Sequence, residues 1–429
     1  MNKALVLRAA LCALLLAPIV PITPMGSAQG APGSAMTTNA RVIVKFRADA
    51  GLLRKRALSA DEQHSLQAQM LGGRLGLALR SGAGLHGHAQ VVFASGMSSQ
   101  QLADALAHDP EVEYAVPDGR KRPVVVPNDS KYTTGGASGP ASGQWYLRPL
   151  AGEVQSSINA EPAWDVTTGS SSIVVAVLDT GVRFDHPDLK TVANGGNLLP
   201  GYDMIADVDT ANDRTGRDAD ASDPGDWINQ ADVNSGRYAP CTSADIADSS
   251  WHGTQVAGLI GALTNNAVGM ASVGRNVRVL PVRVLGKCGG FDSDIIAGML
   301  WAAGLSTGDP NVPANPAANR AKVINMSLGG QGPCTQPYQD AVTALTAAGV
   351  TVVASAGNGT GHAVNSPANC VGVIGVTGLR HVGTKVGFSD LGPEVSLSAP
   401  GGNCVNEGAN DPCLYPVLTT SNSGSTVPA

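Results

Sequence analysis

The chain has 429 residues, 43% of them hydrophobic and 14% charged, with 53 glycines, which is length enough for a large core plus a smaller domain. Aromatic residues make up only 4%, so Val, Leu, Ile and Ala must fill that core. The net charge of −6 is unevenly spread: residues 1–122 carry 13 Lys and Arg against 8 Asp and Glu, and the remainder carries 15 against 26. The two parts have opposite sign and can attract each other, and a chain balanced this way lacks the basic footprint of a nucleic-acid binder.

A positive start from Met1 to Arg8, an apolar run from Ala9 to Val20 and the small residues Gly26-Ser27-Ala28 read as a secretory signal peptide over residues 1–28. The run is short and is interrupted by Pro18 and Pro21, and no later run reaches about 20 apolar residues, so no membrane anchor is expected. Cys12 leaves with the signal peptide, and the six remaining cysteines argue for disulfides in an oxidising compartment. Six cysteines admit many connectivities. Pairing of sequence neighbours is expected: Cys241 with Cys288, Cys334 with Cys370, and Cys404 with Cys413. No C-x-x-C spacing occurs, so zinc is not expected.

Residues 41–118 read as a small α/β unit, with strands at 41–46, 90–94 and 112–116, an amphipathic segment at 61–71 and a helix at 99–108. A basic linker with a processing site follows at 119–127, including Arg120-Lys121-Arg122. A second domain spans 128–429. Its first strong signal is Ile173-Val174-Val175-Ala176-Val177-Leu178-Asp179-Thr180-Gly181, a short apolar run of the kind buried on both faces of a parallel sheet. Asp179 then stands at the carboxyl edge, where open α/β sheets place their chemistry. The alternative is a turn aspartate that caps the next segment.

The stretch from Asp203 to Asp232 is crowded with carboxylates. Hard oxygen ligands at that density suit calcium, and Asp213, Asp218, Asp220 and Asp223 are the candidate ligands. No EF-hand pattern is present, and a solvated acidic face remains the alternative. Further on, Trp251-His252-Gly253-Thr254-Gln255-Val256-Ala257-Gly258 suits a tightly packed helix with the imidazole at its amino end. Strands at 276–285, 322–327, 350–356 and 371–377 then alternate with helices at 292–304 and 336–348, the pattern of βαβ units and a mostly parallel sheet. The strand at 350–356 delivers Asn358 into the glycine-rich Ala356-Gly357-Asn358-Gly359.

Asp-Thr-Gly at 179–181, His-Gly-Thr-x-Val-Ala-Gly at 252–258 and Ala-Gly-Asn at 356–358 together resemble the fingerprints of the subtilisin-like serine proteases, the subtilases. The resemblance implies an α/β fold in which helices cover both faces of a mostly parallel sheet, preceded by a small α+β propeptide domain. It makes Asp179 the carboxylate that orients His252, His252 the general base and Asn358 the oxyanion donor. The close of the first unit, from Ala107 to Asp118, resembles the end of an inhibitory propeptide, whose family counterpart assists folding and lays its tail in the substrate groove. The alternative is an N-terminal domain unrelated to activity. His186 in Asp185-His186-Pro187-Asp188 is read as structural.

Ser327, Leu328 and Gly329, with Gly289 and Gly290, resemble the two strands that clamp an extended peptide by its backbone. Ala356 and Gly357 would join the Ser327 segment around an uncharged specificity pocket. Polypeptide substrates, the chain's own propeptide as inhibitor and a monomeric state are the expected associations. No cofactor is expected for the chemistry, and secreted subtilases often bind structural calcium.

The third fingerprint, G-T-S-x-A-x-P, which carries the nucleophile, does not occur in these 429 residues. Ser423 and Ser425 lack the Gly-Thr turn before them and the small-residue helix after them. The sequence therefore reads as truncated before the nucleophile, and the 429-residue chain is expected to be inactive and to fold poorly. A secreted pseudoprotease that binds peptides is the rival reading. A nucleotide-binding α/β protein is remote, because no phosphate loop opens a helix after a strand.

Overall fold

The computed structural model describes residues 39–54, 58–119, 126–133, 143–404 and 414–429. The expected signal peptide, most of the linker at 119–127 and Cys413 lie outside the described residues. The chain divides into two compact units, one running to Lys121 and the other starting at Arg122.

The first unit runs β1 (Asn39–Phe46), α1 (Ala60–Leu75), β2 (Arg80–Leu85), β3 (Ala89–Ser95), α2 (Ser99–Ala107) and β4 (Val112–Pro117). Its antiparallel sheet has the strand order β2-β3-β1-β4. Both helices begin at a serine capping box, Ser59 with Glu62 and Ser98 with Gln101, so orphan amides of each first turn are satisfied. Alternate residues Val42, Val44 and Phe46 of β1 share one core with Leu71, Leu102 and Leu106 of the helices. Strand β2 escapes the sequence reading because Gly82 and Gly84 break the apolar alternation. Both glycines lie under rings: a Cβ at Gly82 would lie 2.7 Å from the Phe93 ring, and one at Gly84, 2.1 Å from the His64 imidazole, would displace that ring.

The second unit begins with α3 (Ala160–Val166), β5 (Val174–Asp179), β6 (Tyr202–Asp203), α4 (Val208–Ala211), α5 (Gln230–Ser235) and α6 (His252–Gly261). It continues with β7 (Arg278–Arg283), α7 (Asp292–Ala303), β8 (Val323–Met326), α8 (Gln336–Ala347), β9 (Thr351–Ser355), β10 (Val373–Leu379) and β11 (Val395–Pro400). The seven strands form a parallel sheet in the order β11-β10-β9-β8-β5-β7-β6. From β5 the chain winds to β7 on one side, crosses back to β8 on the other and continues outward to β11. The winding therefore reverses between β5 and β8, where open α/β sheets leave a crevice at the carboxyl ends.

Alternation along β5 decides what meets what. Ala176 and Leu178 enter the core that holds Ile295 and Met299 of α7 and Val342 and Leu345 of α8. Val177 packs instead with Val256 and Ala257 of α6. Successive side chains of a strand point to opposite faces, so Asp179 shares the α6 face with Val177. Helices on both faces of a mostly parallel sheet are the expected architecture. The strand expected at 276–285 is shorter, because the amides of Val284 and Leu285 both turn to the Asp179 carbonyl, at 2.9 and 3.2 Å. Strand β11 was not foreseen: it lies at the sheet edge, and its Ser396-Leu397-Ser398 is exposed.

Candidate active site

Asp179 is the last residue of β5 and is fully buried, whereas the His252 side chain keeps 40% of its surface exposed. The His252 Nδ1 lies 2.8 Å from Asp179 Oδ1 and 2.9 Å from Oδ2. An ionised carboxylate only accepts, so Nδ1 carries the proton and donates it. The other ring nitrogen, Nε2, makes no hydrogen bond among the described residues and retains its lone pair. Asp179 is held from its own side by the Thr180 amide, which donates to Oδ1 at 2.8 Å.

The bond to Asp179 is the largest influence on His252 and raises its pKa above the ordinary value, with burial opposing and the charges of Asp226 and Asp223 assisting. Folding therefore favours the imidazolium. That stabilisation is complete below about pH 6.5, the ordinary histidine value, and is lost as the pH rises through the raised value. Base chemistry needs the opposite, neutral form, and so gains over the same range.

Local backbone makes this approach possible. His252 opens α6, and the preceding Trp251 takes the left-handed conformation at φ 52°. Its indole is anchored to the Gly424 carbonyl at 2.7 Å. Gly253 follows where no other residue fits: a Cβ there would lie 2.1 Å from the Gly181 carbonyl oxygen and 3.1 Å from Asp179 Cβ. Helix and strand end thus touch at a glycine, and the imidazole reaches the carboxylate. His186 is taken up locally, its Nδ1 accepting the Asp188 amide at 3.1 Å.

Between the ends of β7 and β8 lies a cleft of about 630 Å³ whose lining includes Gly289 and Gly290 on one side and Ser327, Leu328 and Gly329 on the other. All five were expected to bind substrate. Leu285, Ile295 and Tyr338 also line it, giving it an apolar share. The Gly289 side is pinned by the Cys241–Cys288 disulfide. It is also pinned by Lys287, buried between Asp232 at 2.8 Å and the rings of Trp227 and Tyr238. The second expected disulfide, Cys334–Cys370, is present. Cys404 is disulfide-bonded, while its expected partner Cys413 lies outside the described residues.

Ala356 and Gly357 leave the next strand end, β9, and do not line that cleft. Ala356 is buried and donates its amide to Val376 O at 2.8 Å, and Gly357 stands at φ 116°. Asn358 is exposed, and its side chain makes no hydrogen bond among the described residues. Its loop is held from beneath by the buried Asp390, which accepts the amides of Gly359 and His362, each at 2.9 Å, and donates its own amide to Gly357 O at 2.9 Å. Asp390 was missed in the sequence, where a lone aspartate after Phe388-Ser389 carries no signal.

The four carboxylates considered for calcium are engaged with the protein. Asp213 accepts from Arg283 and Thr215, Asp218 from the Asp220 amide, Asp220 from the Ser222 amide, and Asp223 from Thr180 and Gly225. Among the described residues no group of three or more His, Cys, Asp or Glu side chains is placed to hold a metal ion.

Residues 170–428 match the model of the Subtilase family. The chain belongs to the subtilase family. An extracellular protease of Xanthomonas campestris pv. campestris is 40% identical to this subtilase over 331 residues, which cover 77% of this chain and 50% of that protein. An extracellular basic protease of Dichelobacter nodosus is 40% identical over 306 residues, 71% of this chain and 46% of the other. A solved structure of proteases from Pseudoalteromonas arctica is similar at 43% identity and a TM-score of 0.60, covering 71% of this chain and 80% of that one. The chain spans about half the length of the two extracellular relatives. No helix among the described residues is long and apolar enough to cross a membrane.

Proposed function

We propose that this subtilase is the precursor of a secreted serine endopeptidase that hydrolyses polypeptides through an acyl-enzyme. The observation that carries the reading is the Asp179–His252 contact, in which one Nδ1–H faces both oxygens of a buried carboxylate and the Nε2 of the half-exposed imidazole makes no hydrogen bond among the described residues. A serine hydroxyl is a weak nucleophile until an imidazole removes its proton, and the imidazole needs the carboxylate to fix its tautomer. His252 Nε2 takes that proton and later gives it to the leaving amine. Asn358, with an unengaged amide, donates to the oxyanion. The cleft between Gly289–Gly290 and Ser327–Gly329 takes the substrate as an extended strand, and residues 41–118 act as the chain's own inhibitor. The names of the extracellular relatives and the leader read at residues 1–28 support secretion.

The nucleophile belongs to a Gly-Thr-Ser segment, which does not occur in these 429 residues. The rival reading is a secreted module that binds peptides in the same cleft without turnover. The test is to sequence the source DNA through and beyond the codon for Ala429, express the whole reading frame and assay casein hydrolysis. The protease reading expects hydrolysis that falls about 10⁴-fold in Asp179→Asn, the scale for loss of the orienting carboxylate in serine proteases, and falls likewise in His252→Ala. A frame that ends at Ala429, with peptide binding and no hydrolysis, replaces it by the binding module.

A further inference from the structure

One short acidic segment grips the amino end of α6 from two sides, and neither grip belongs to the Asp179–His252 pair. Asp223, 1% exposed, accepts the Thr180 hydroxyl at 2.6 Å, and the same Thr180 oxygen accepts the Gly253 amide at 3.0 Å. Three residues on, Asp226 accepts both the amide and the hydroxyl of Ser250, each at 2.7 Å. Ser250 Oγ in turn accepts the His252 amide at 3.2 Å. The first two amides of α6 therefore each end on a hydroxyl whose proton is taken by a carboxylate. Because a carboxylate accepts only, each hydroxyl is polarised one way, its proton toward the acid and its lone pairs toward the helix. Orphan amides at a helix start are commonly met by a single capping side chain. Here Trp251 stands at the cap position and provides no such bond, and the two relays take its place.

We propose that Asp223 and Asp226 are positioning residues for His252: through Thr180 and Ser250 they fix the first turn of α6 so that the imidazole stays against Asp179. This rests on the reading of His252 as the general base. The charged groups around the imidazole are Asp179 from β5 and the two aspartates of the grip. On the Asp223 side, Arg183 donates to the Asp223 carbonyl at 2.8 Å, and Arg283 of β7 draws the Asp223 carboxyl down. A helix amino end disfavours an imidazolium. The two carboxylates oppose that bias as well as holding the backbone.

The test is the NMR titration of His252, with labelled histidine, in the folded product of the whole reading frame, read together with the Nδ1 proton signal. In the parent chain His252 is expected to titrate above its ordinary value, and Asp179→Asn is expected to lower it. Ser250→Ala, which adds and removes no charged group, is expected to lower it as well and to weaken the Nδ1 proton signal, with Ser250→Thr restoring both. Thr180→Val, which also releases the bond that holds the Asp223 carboxyl down, is expected to act in the same direction, with Thr180→Ser restoring both. Asp226→Asn is expected to act in the same direction. Should the buried Asp223→Asn variant fail to fold, the more exposed Ser250 and Asp226 variants decide the matter. A His252 titration and Nδ1 signal unmoved in the hydroxyl and carboxylate variants, while Asp179→Asn still shifts them, overturns the inference and leaves the base assignment standing. No response to Asp179→Asn overturns the base assignment itself.

Discussion

The end of β5 and the end of β9 lie on the same edge of one parallel sheet, yet they hold their polar side chains in opposite ways. Asp179 is buried, its carboxylate shared between an imidazole and an amide, and the helix that brings His252 is fixed by further bonds. Asn358 is exposed, with its amide unengaged, and only the backbone around it is fastened, by Asp390. A base that must keep one tautomer is best served by bonds made before substrate arrives. A donor to a charge that appears only during reaction is best left unspent, on a rigid loop.

The largest effect that separates the two ends is expected from Arg283→Met. Arg283 pairs in register with Asp179 on the neighbouring strand. Its side chain, 1% exposed, bonds Asp203, Asp213 at 2.8 Å and the Ala211 carbonyl. Burial pushes Asp203 up to about 7, and the guanidinium opposes that push. Removing the cation leaves a buried carboxylate alone, a loss of about 3–5 kcal/mol. The loss should be smaller at pH 5 than at pH 8, because protonation relieves Asp203 at the lower pH. Urea unfolding of parent and variant at the two pH values measures it, and an equal loss at both would show that the carboxylate is not the source.

Gly253→Ala comes next. The added methyl would sit 2.1 Å from a backbone oxygen, and backbone yields less readily than a side chain. A destabilisation of about 3 kcal/mol is expected, at the upper end of overpacking costs. It should be accompanied by loss of the Nδ1 proton signal as α6 moves away from β5. A stable variant that retains the signal would show that helix and strand can part without breaking the pair.

How far these features could be read beforehand follows from where their causes lie in the chain. The run from Ile173 to Asp179 announces itself, since an apolar strand that ends in a carboxylate is a local pattern, and so does the histidine ahead of small helical residues. Gly289, Gly290 and Ser327–Gly329 were foreseen as two walls of one cleft, and the sheet order brings them together. What escaped depends on partners far along the chain. Asp223 stands in the sequence as one acid among many, and only folding shows its carboxylate accepting from Thr180, 43 residues away. Asp390 reaches the Asn358 loop across 28 to 31 residues with no periodicity to mark it. Strand β2 was hidden because glycines, kept for the approach of rings, erase the alternation that marks a strand.

The smallest expected effect is also the sharpest test of the contrast. Asn358→Ala removes a side chain that is exposed and bonds to nothing among the described residues, so chemical unfolding should place its stability within about 0.5 kcal/mol of the parent. The backbone of the loop should keep its protection from hydrogen exchange at Gly359 and His362, since Asp390 holds both amides without help from Asn358. In a form that carries the nucleophile, the same substitution should cost about 2.7–4 kcal/mol of transition-state stabilisation, a scale that comes from subtilisin itself, and should lower kcat with little change in KM. A loss of stability or of amide protection would mean that Asn358 supports its own loop. The idle amide would then be structural, and the oxyanion donor would have to be sought elsewhere on the same edge.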